Sequence, residues 1–146
     1  MLKRIYPIED FCIACRHCEL MCQLEHSPSR DLIQLFKGTS SSSLKRIFVL
    51  QQGPVSLALN CRHCDEPLCA YACVAGALTK DPATGIVNFN QDKCIGCWTC
   101  IIACPYGVIV RNPGTGRIAK CDLCPGRDVP ACVEACPNGA LALAEA

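Results

Sequence analysis

Apolar residues in this chain come in short runs that end at proline, glycine or a polar turn. Residues 85–89 predict one short strand, residues 108–110 predict another, and a brief helix is predicted between them near residues 100–104. Residues 112–116 have the composition of a turn. Residues 117–120 then predict the hairpin partner of the strand at 108–110.

The same order of strand, loop, helix and strand recurs after Cys73 and after Cys136, and residues 81–85 form another predicted turn. Between the first and second thirds of the chain, residues 38–43 predict a flexible polar loop. Residues 44–51 and 55–59 predict two strands that lead into Cys61. The segment from Ser27 to Asn60 is interpreted as a connector that covers the rest of the fold, with partner docking as the alternative. Units this small bury little apolar surface alone, and together they indicate an α+β fold of small sheets and short helices.

The longest apolar stretch, residues 101–110, is interrupted by Pro105 and Gly107 and is too short to cross a bilayer. At the start of the chain, Glu9 and Asp10 follow before an apolar signal segment could form. We therefore expect no membrane span, no export signal and a cytoplasmic location.

A chain of 146 residues suffices for one small domain. Sixteen of these residues are Cys, which changes the expected source of stability. Hydrophobic residues make up 51%, but Cys is counted among them and aromatic residues are only 5%, so an ordinary core is thin. Thiols at this density indicate a covalent or metal scaffold. The formal charge is +1 and the 14 Lys and Arg are dispersed, which gives no support for nucleic-acid binding.

The cysteines form four groups of four, and none is left over. The first and third groups share one spacing, whereas the second and fourth widen only the gap before their third Cys. In chain order the groups are Cys12, Cys15, Cys18 and Cys22; Cys61, Cys64, Cys69 and Cys73; Cys94, Cys97, Cys100 and Cys104; and Cys121, Cys124, Cys132 and Cys136.

This spacing suits iron-sulfur chemistry. A loop with two residues between cysteines can wrap one corner of a cubane, so the first three thiolates of a group bind one 4Fe-4S cluster while the fourth ligates a neighbouring cluster. Sixteen Cys thus predict four 4Fe-4S clusters with complete thiolate ligation. A disulfide scaffold is typical of exported proteins, and this sequence shows no export signal. A zinc site does not require the repeated third and fourth cysteines. The sequence alone leaves one further alternative, in which one group of four cysteines binds a 3Fe cluster or no cluster.

Cluster binding would reverse the charge of the chain. Each oxidised cluster with its thiolates carries about −2, so four of them shift the chain from +1 to about −7. Basic residues beside the cysteines could offset part of this charge, or be solvated in the ordinary way: Arg16, Arg62, Lys93, Lys120 and Arg127. The three histidines, His17, His26 and His63, could donate hydrogen bonds toward clusters, or be solvated or packed.

Three runs carry a resemblance to a known family: residues 61–69, residues 94–107, and Lys120-Cys121-Asp122-Leu123-Cys124. They resemble the four-cluster electron-transfer subunits of the DMSO reductase iron-sulfur subunit family. The opening run from Cys12 to Cys22 looks like the shorter soluble members, which accompany carbon monoxide dehydrogenase, tungsten aldehyde oxidoreductases, formate dehydrogenases and hydrogenases. The resemblance implies two interleaved ferredoxin-like halves with pseudo-twofold symmetry.

In that family the first and fourth groups pair, as do the second and third. The resemblance implies four ligand sets, numbered here as sites 1 to 4: Cys12, Cys15, Cys18 and Cys136 for site 1; Cys121, Cys124, Cys132 and Cys22 for site 2; Cys61, Cys64, Cys69 and Cys104 for site 3; Cys94, Cys97, Cys100 and Cys73 for site 4. The chain departs from the pattern at Gln23 and Val74, which replace the Pro that follows the last Cys elsewhere.

The resulting domain prediction is a single polyferredoxin domain over residues 1–146. Residues 1–30 and 117–146 would build the outer cluster pair, residues 55–110 the inner pair, and residues 31–54 the connector.

The sequence shows no nucleophile-base pair, nucleotide loop or pterin site, and Gly114 and Gly116 belong to a hairpin turn. We therefore expect no catalysis, but an electron-transfer subunit between a larger catalytic redox subunit and an acceptor such as ferredoxin or a flavin subunit. A free polyferredoxin carrier is the alternative, and a zinc-bound scaffold is a remote one.

Overall fold

The computed structural model describes residues 3–37 and 44–145. It contains a 3-10 turn at Glu9–Phe11 and five short helices: α1 (His17–Glu25), α2 (Leu32–Phe36), α3 (Leu68–Tyr71), α4 (Thr99–Ala103) and α5 (Ala131–Glu134). Its eight strands are β1 (Lys3–Pro7), β2 (Ile47–Gln52), β3 (Val55–Asn60), β4 (Leu78–Lys80), β5 (Val87–Phe89), β6 (Val110–Asn112), β7 (Arg117–Ala119) and β8 (Leu141–Glu145). The predicted α+β class with small sheets and short helices is thus confirmed, and the predicted polar loop at 38–43 lies outside the described residues.

Three of the four two-stranded antiparallel sheets are local hairpins: β2 with β3, β4 with β5, and β6 with β7. The β2–β3 turn is Gly53-Pro54, and Gly53 takes the positive φ of 58° that a primed hairpin turn requires. The strand predicted at 108–110 begins instead at Val110. Val108 and Ile109, each 2% exposed, are buried in the core ahead of the hairpin.

The fourth sheet joins the two ends of the described chain. Strand β1 pairs antiparallel with β8, from Lys3 opposite Glu145 to Pro7 opposite Leu141. Helix α1 packs against α5, and α3 packs against α4. The N- and C-terminal segments therefore lie together, and the middle of the chain supplies the other helix pair.

The interior consists of two small cores in which cysteines are members. The first includes Ile5, Ile47 and Val108 together with Cys18, Cys22, Cys61, Cys121 and Cys132. The second includes Leu78, Val87, Ile109 and Ile118 together with Cys100. Because few large side chains fill either core, groups bound by these thiols would supply much of the missing interior. In the described part of the chain, no helix has the length and apolar character needed to cross a membrane.

Candidate iron-sulfur sites

One backbone feature is common to the four cysteine loops. The residue before the second Cys of each group is left-handed: Ala14 (φ 54°), His63 (46°), Gly96 (69°) and Leu123 (62°). This conformation is costly for residues with a side chain, by about 1 to 2 kcal/mol each. Its benefit is local, because it turns backbone N–H groups toward the loop interior, as in the nests that bind anions.

Two of these residues show where their N–H groups point. The backbone N–H of His63 bonds the thiol of Cys61, and that of Leu123 bonds the thiol of Cys121. In both cases the contact partly offsets burial, which is the main cause of the raised pKa of the thiol. Such donors suit a thiolate better than a neutral thiol.

The fourth cysteines also receive backbone donors. Ala77 N–H donates to Cys73 Sγ at 3.2 Å and Ala140 N–H donates to Cys136 Sγ at 3.2 Å. The donor to Cys22 comes from a distant segment: the N–H of Arg46 donates to Cys22 Sγ at 3.3 Å.

Three groups end in the same turn, in which a left-handed glycine donates its N–H to the carbonyl of the fourth Cys: Gly76 to Cys73 (3.1 Å), Gly107 to Cys104 (3.2 Å) and Gly139 to Cys136 (3.3 Å). Val74 therefore occupies the proline position without loss of the turn. Gln23 is different, because it lies inside α1, which continues to Glu25. The missing proline thus changes the structure after Cys22 but not after Cys73.

Two of the predicted ligand sets each line one cavity. The cysteines of site 1 line one small cavity together with apolar Val49, Ala58 and Leu141. The cysteines of site 4 line another small cavity together with Leu78, Phe89 and Ile118. Each cavity thus combines four thiols with an apolar wall, a donor set that fits a cubane of iron and sulfide.

The thiols of the other two sets are electrostatic neighbours. After burial, the leading causes of the raised pKa of Cys132 include repulsion from Cys121, Cys22 and Cys124, which are its partners in site 2. Repulsion from Cys61, Cys104 and Cys64 similarly adds to burial in raising the pKa of Cys69, their partner in site 3.

Repulsions also join one set to the next. Cys18 of site 1 acts on Cys132 of site 2, Cys61 of site 3 acts on Cys121 of site 2, and Cys69 of site 3 acts on Cys100 of site 4. The repulsions thus link the predicted sets in a row from site 1 to site 4.

Exposure differs sharply along this row. Cys15 of site 1 and Cys97 of site 4 are the exposed members among the sixteen cysteines. Burial raises the pKa of Cys22 and of Cys121 to about 12, whereas the hydroxyl of Thr99, 3.5 Å from Cys97 Sγ, lowers the pKa of the exposed Cys97. Iron binding must displace these protons, so assembly of the buried sites releases protons.

A single metal ion is a poor fit to the cysteine groups. Tetrahedral zinc with Zn–S bonds of about 2.3 Å holds its thiolates about 3.8 Å apart. Within residues 3–37 and 44–145, one trio of potential ligands has its ligand atoms all within 4.8 Å of one another: His26, Asp122 and Cys124. That trio is already bonded internally, with His26 Nε2 3.0 Å from Asp122 Oδ1 and Asp122 paired to Arg46. The wider spacing of the cysteine groups favours polynuclear clusters.

The polar residues beside the sites separate into two kinds. Arg16, Lys93, Arg127 and His17 are exposed, as ordinary solvation requires, and Arg62 is half-buried. Lys120 and His63 are buried, at 3% and 0% exposure. Nothing in the sequence distinguishes Lys120 from Arg16, Arg62 and Lys93, because each of the four adjoins a cysteine and only packing decides which is enclosed.

These features define a small α+β protein built around thiolate iron-sulfur sites, the class that carries electrons. A family model described as a 4Fe-4S dicluster domain matches residues 55–146, and the chain belongs to this family.

Known proteins support this membership. The electron transport protein HydN of Escherichia coli (strain K12) is 40% identical over 146 residues, which cover 89% of this chain and 81% of that protein. Subunit beta of the NADH-dependent phenylglyoxylate dehydrogenase of Aromatoleum evansii is 47% identical over 81 residues, 56% of this chain and 18% of the relative. The solved active site complex BamBC of benzoyl coenzyme A reductase, as isolated, aligns with a TM-score of 0.53 at 24% identity, over 98% of this chain and 76% of that one. The structural match supports the fold alone.

The predicted iron-sulfur electron-transfer subunit is thereby confirmed, as are its four 4Fe-4S cofactors and its non-catalytic role.

Proposed function

We propose that the chain relays single electrons along a row of four clusters, from site 1 at one end to site 4 at the other, between a catalytic redox subunit and an acceptor. When bound, each 4Fe-4S cluster supplies a reversible one-electron couple. The chain supplies thiolate ligation, N–H donors and separation from water. The row of ligand sets that ends at the exposed Cys15 and Cys97 carries this proposal.

The proposed ligands are the sixteen cysteines in the four sets named above. Cavity lining supports sites 1 and 4. Mutual repulsion of the thiols supports sites 2 and 3. In each set three thiols come from one loop and the fourth comes from another group, which is the crossed arrangement of two-cluster ferredoxins.

The proposed division of the domain has support from the packing. Pairing of β1 with β8 and of α1 with α5 brings the described parts of the proposed outer segments, residues 3–30 and 117–145, together for the outer pair of sites. Packing of α3 on α4 does the same for the inner pair within residues 55–110. The connector, residues 31–54, is tied to α1, because Glu19 accepts the N–H of Val49 at 2.7 Å and pairs with Lys45 at 2.8 Å.

Apolar side chains surround both ends of the row. Phe11 and Ile13 are 54% and 60% exposed and line the cavity of site 1, and Ile95, 69% exposed, lines the cavity of site 4. We propose that one end docks on the catalytic subunit and the other on a ferredoxin or a flavin subunit. The Aromatoleum evansii relative is a dehydrogenase subunit, which supports a catalytic partner. A cytoplasmic location remains the prediction made from sequence.

Anaerobic isolation from the native source tests this function. We expect brown protein with about 16 iron and about 16 labile sulfide per chain, recovered in fixed ratio with a larger redox enzyme. Recovery alone with the same iron content would favour the free carrier, and colourless protein with zinc would refute the relay.

Surface variants test the two ends. Ile13→Glu and Ile95→Glu should each retain full iron and lose transfer to one partner only. Leu50→Glu is the matched control, because Leu50 is 55% exposed on β2 and lines neither the site 1 nor the site 4 cavity. Equal loss in all three variants would count against docking at the ends.

A further inference from the structure

Lys120 carries a buried positive charge that the protein does not neutralise. Its side chain is 3% exposed, and Nζ donates to the carbonyls of Val87 at 2.6 Å and Cys121 at 2.8 Å. Across residues 3–37 and 44–145, no carboxylate forms an ion pair with it. A buried ammonium held by carbonyls alone is costly, so a counter-charge is expected nearby.

His63 adds a second donor at the same place. Its Nδ1 accepts the N–H of Val87 at 3.0 Å, so the ring proton lies on Nε2 in the neutral form. That Nε2 is fully buried and has no hydrogen-bond partner in the described structure. Val87 therefore holds both side chains, through its N–H and its C=O, and in the described residues neither side chain is paired with a carboxylate.

The location of Lys120 identifies the missing anions. Cys121, whose carbonyl it contacts, belongs to site 2, whereas His63, which shares Val87 with it, lies between two cysteines of site 3. Lys120 consequently lies where the two middle ligand sets meet.

We propose that Lys120 is the shared counter-charge of sites 2 and 3, which makes both easier to reduce than they would be without it. The inference rests on the proposed function and its ligand sets. A fixed positive charge stabilises the more negative, reduced form of a nearby redox group and so raises its reduction potential. Because Lys120 is enclosed, water screens this effect little.

Lys80 provides a matched control within the same chain. Its Nζ also donates to the carbonyl of a ligand cysteine, Cys64, at 3.1 Å, but its side chain is 26% exposed and pairs with Asp65 at 3.3 Å. Lys80 and Lys120 thus share a contact and a charge and differ in burial and in neutralisation.

The test is an EPR-monitored redox titration of anaerobic holoprotein with full iron content. In Lys120→Met we expect two of the four reduction steps to move to more negative potential while the other two stay at wild-type values. Lys120→Arg, which keeps the charge, should leave all four near wild type, and Lys80→Met should move none comparably. Four unchanged steps in Lys120→Met, or four equal shifts, would overturn the proposal.

Assembly gives a second readout if Lys120→Met does not load iron. Lys120→Gln keeps a donor for the two carbonyls and removes only the charge, so its titration then replaces that of the methionine variant. If both neutral variants fail to assemble and Lys120→Arg succeeds, the charge is needed to bring the two anionic sites together, which supports the proposal. Failure of Lys120→Arg as well would assign Lys120 a packing role and overturn it. The iron content and the electron transfer of the wild-type protein are measured separately. These two measurements test the proposed function independently of the results for the Lys120 variants.

Discussion

Sites 2 and 4 both begin with a loop that has two residues between its first two cysteines, but they lie in opposite environments. All four cysteines of site 2 are buried, and Lys120 lies beside them, whereas site 4 reaches the surface at Cys97 beside the exposed Ile95. Site 1 resembles site 4, with its own exposed thiol at Cys15. The comparison teaches that the motif specifies what is bound, while position in the fold decides whether the bound group faces a partner or only its neighbours.

Loss of a ligand should be far more damaging in the centre than at the end. Cys121 belongs to the first core, with Ile5 and Val108, so Cys121→Ala removes a site ligand and an interior support together. We expect iron to fall below half of the wild-type value, with loss of near-ultraviolet circular dichroism. Cys97→Ala should keep the fold and about 12 of about 16 irons. Similar iron losses in both variants would contradict the expected difference between the central site 2 and the end site 4.

Chelation should reveal the same distinction without any substitution. Cys15 and Cys97 are exposed, whereas no cysteine of site 2 or site 3 is exposed, so an anaerobic chelator should extract iron in two phases. The fast phase should contain about half of the iron, the share of sites 1 and 4. Absorbance near 400 nm follows the loss, and a single phase would contradict the proposed difference in access.

The two end loops can be compared with each other through their left-handed residues. Gly96→Ala would place a Cβ 2.6 Å from the carbonyl oxygen of Gly116, so the loop or the β6–β7 turn must shift. We expect destabilisation by more than about 1 kcal/mol. Ala14→Gly relieves a left-handed alanine and should change stability by less than about 1 kcal/mol in either direction. Iron retention on heating measures both, and equal effects would show that sterics at Gly96 are unimportant.

The smallest effect is expected at a single hydrogen bond. Thr99→Val removes the hydroxyl donor to Cys97 and leaves the shape nearly unchanged. The potential of one end site should fall slightly, because a donor to a ligand sulfur stabilises the reduced form. Redox titration should show one moved step, and a shift in the middle steps would contradict this assignment.

Local features of the fold were predictable because local residues cause them. The β2–β3 and β6–β7 hairpins and helix α4 follow from apolar runs separated by glycine and proline, within two or three residues of the expected ends. Helix α2 has a usable signal, since Asp31 precedes the apolar run and its side chain caps the N–H of Ile33 at 2.7 Å. The β1–β8 pairing has none, because it joins residues more than 130 positions apart.

The sequence alone determined the chemistry: sixteen thiols at these intervals call for iron-sulfur cubanes, since few other groups need three closely spaced ligands and a fourth from elsewhere. Tertiary structure alone decided the exposure of Cys15 and Cys97 and the enclosure of Lys120 rather than Lys93. The physical reason is that coordination depends on side-chain type and short loop geometry. Burial and electrostatic environment depend instead on contacts among distant segments.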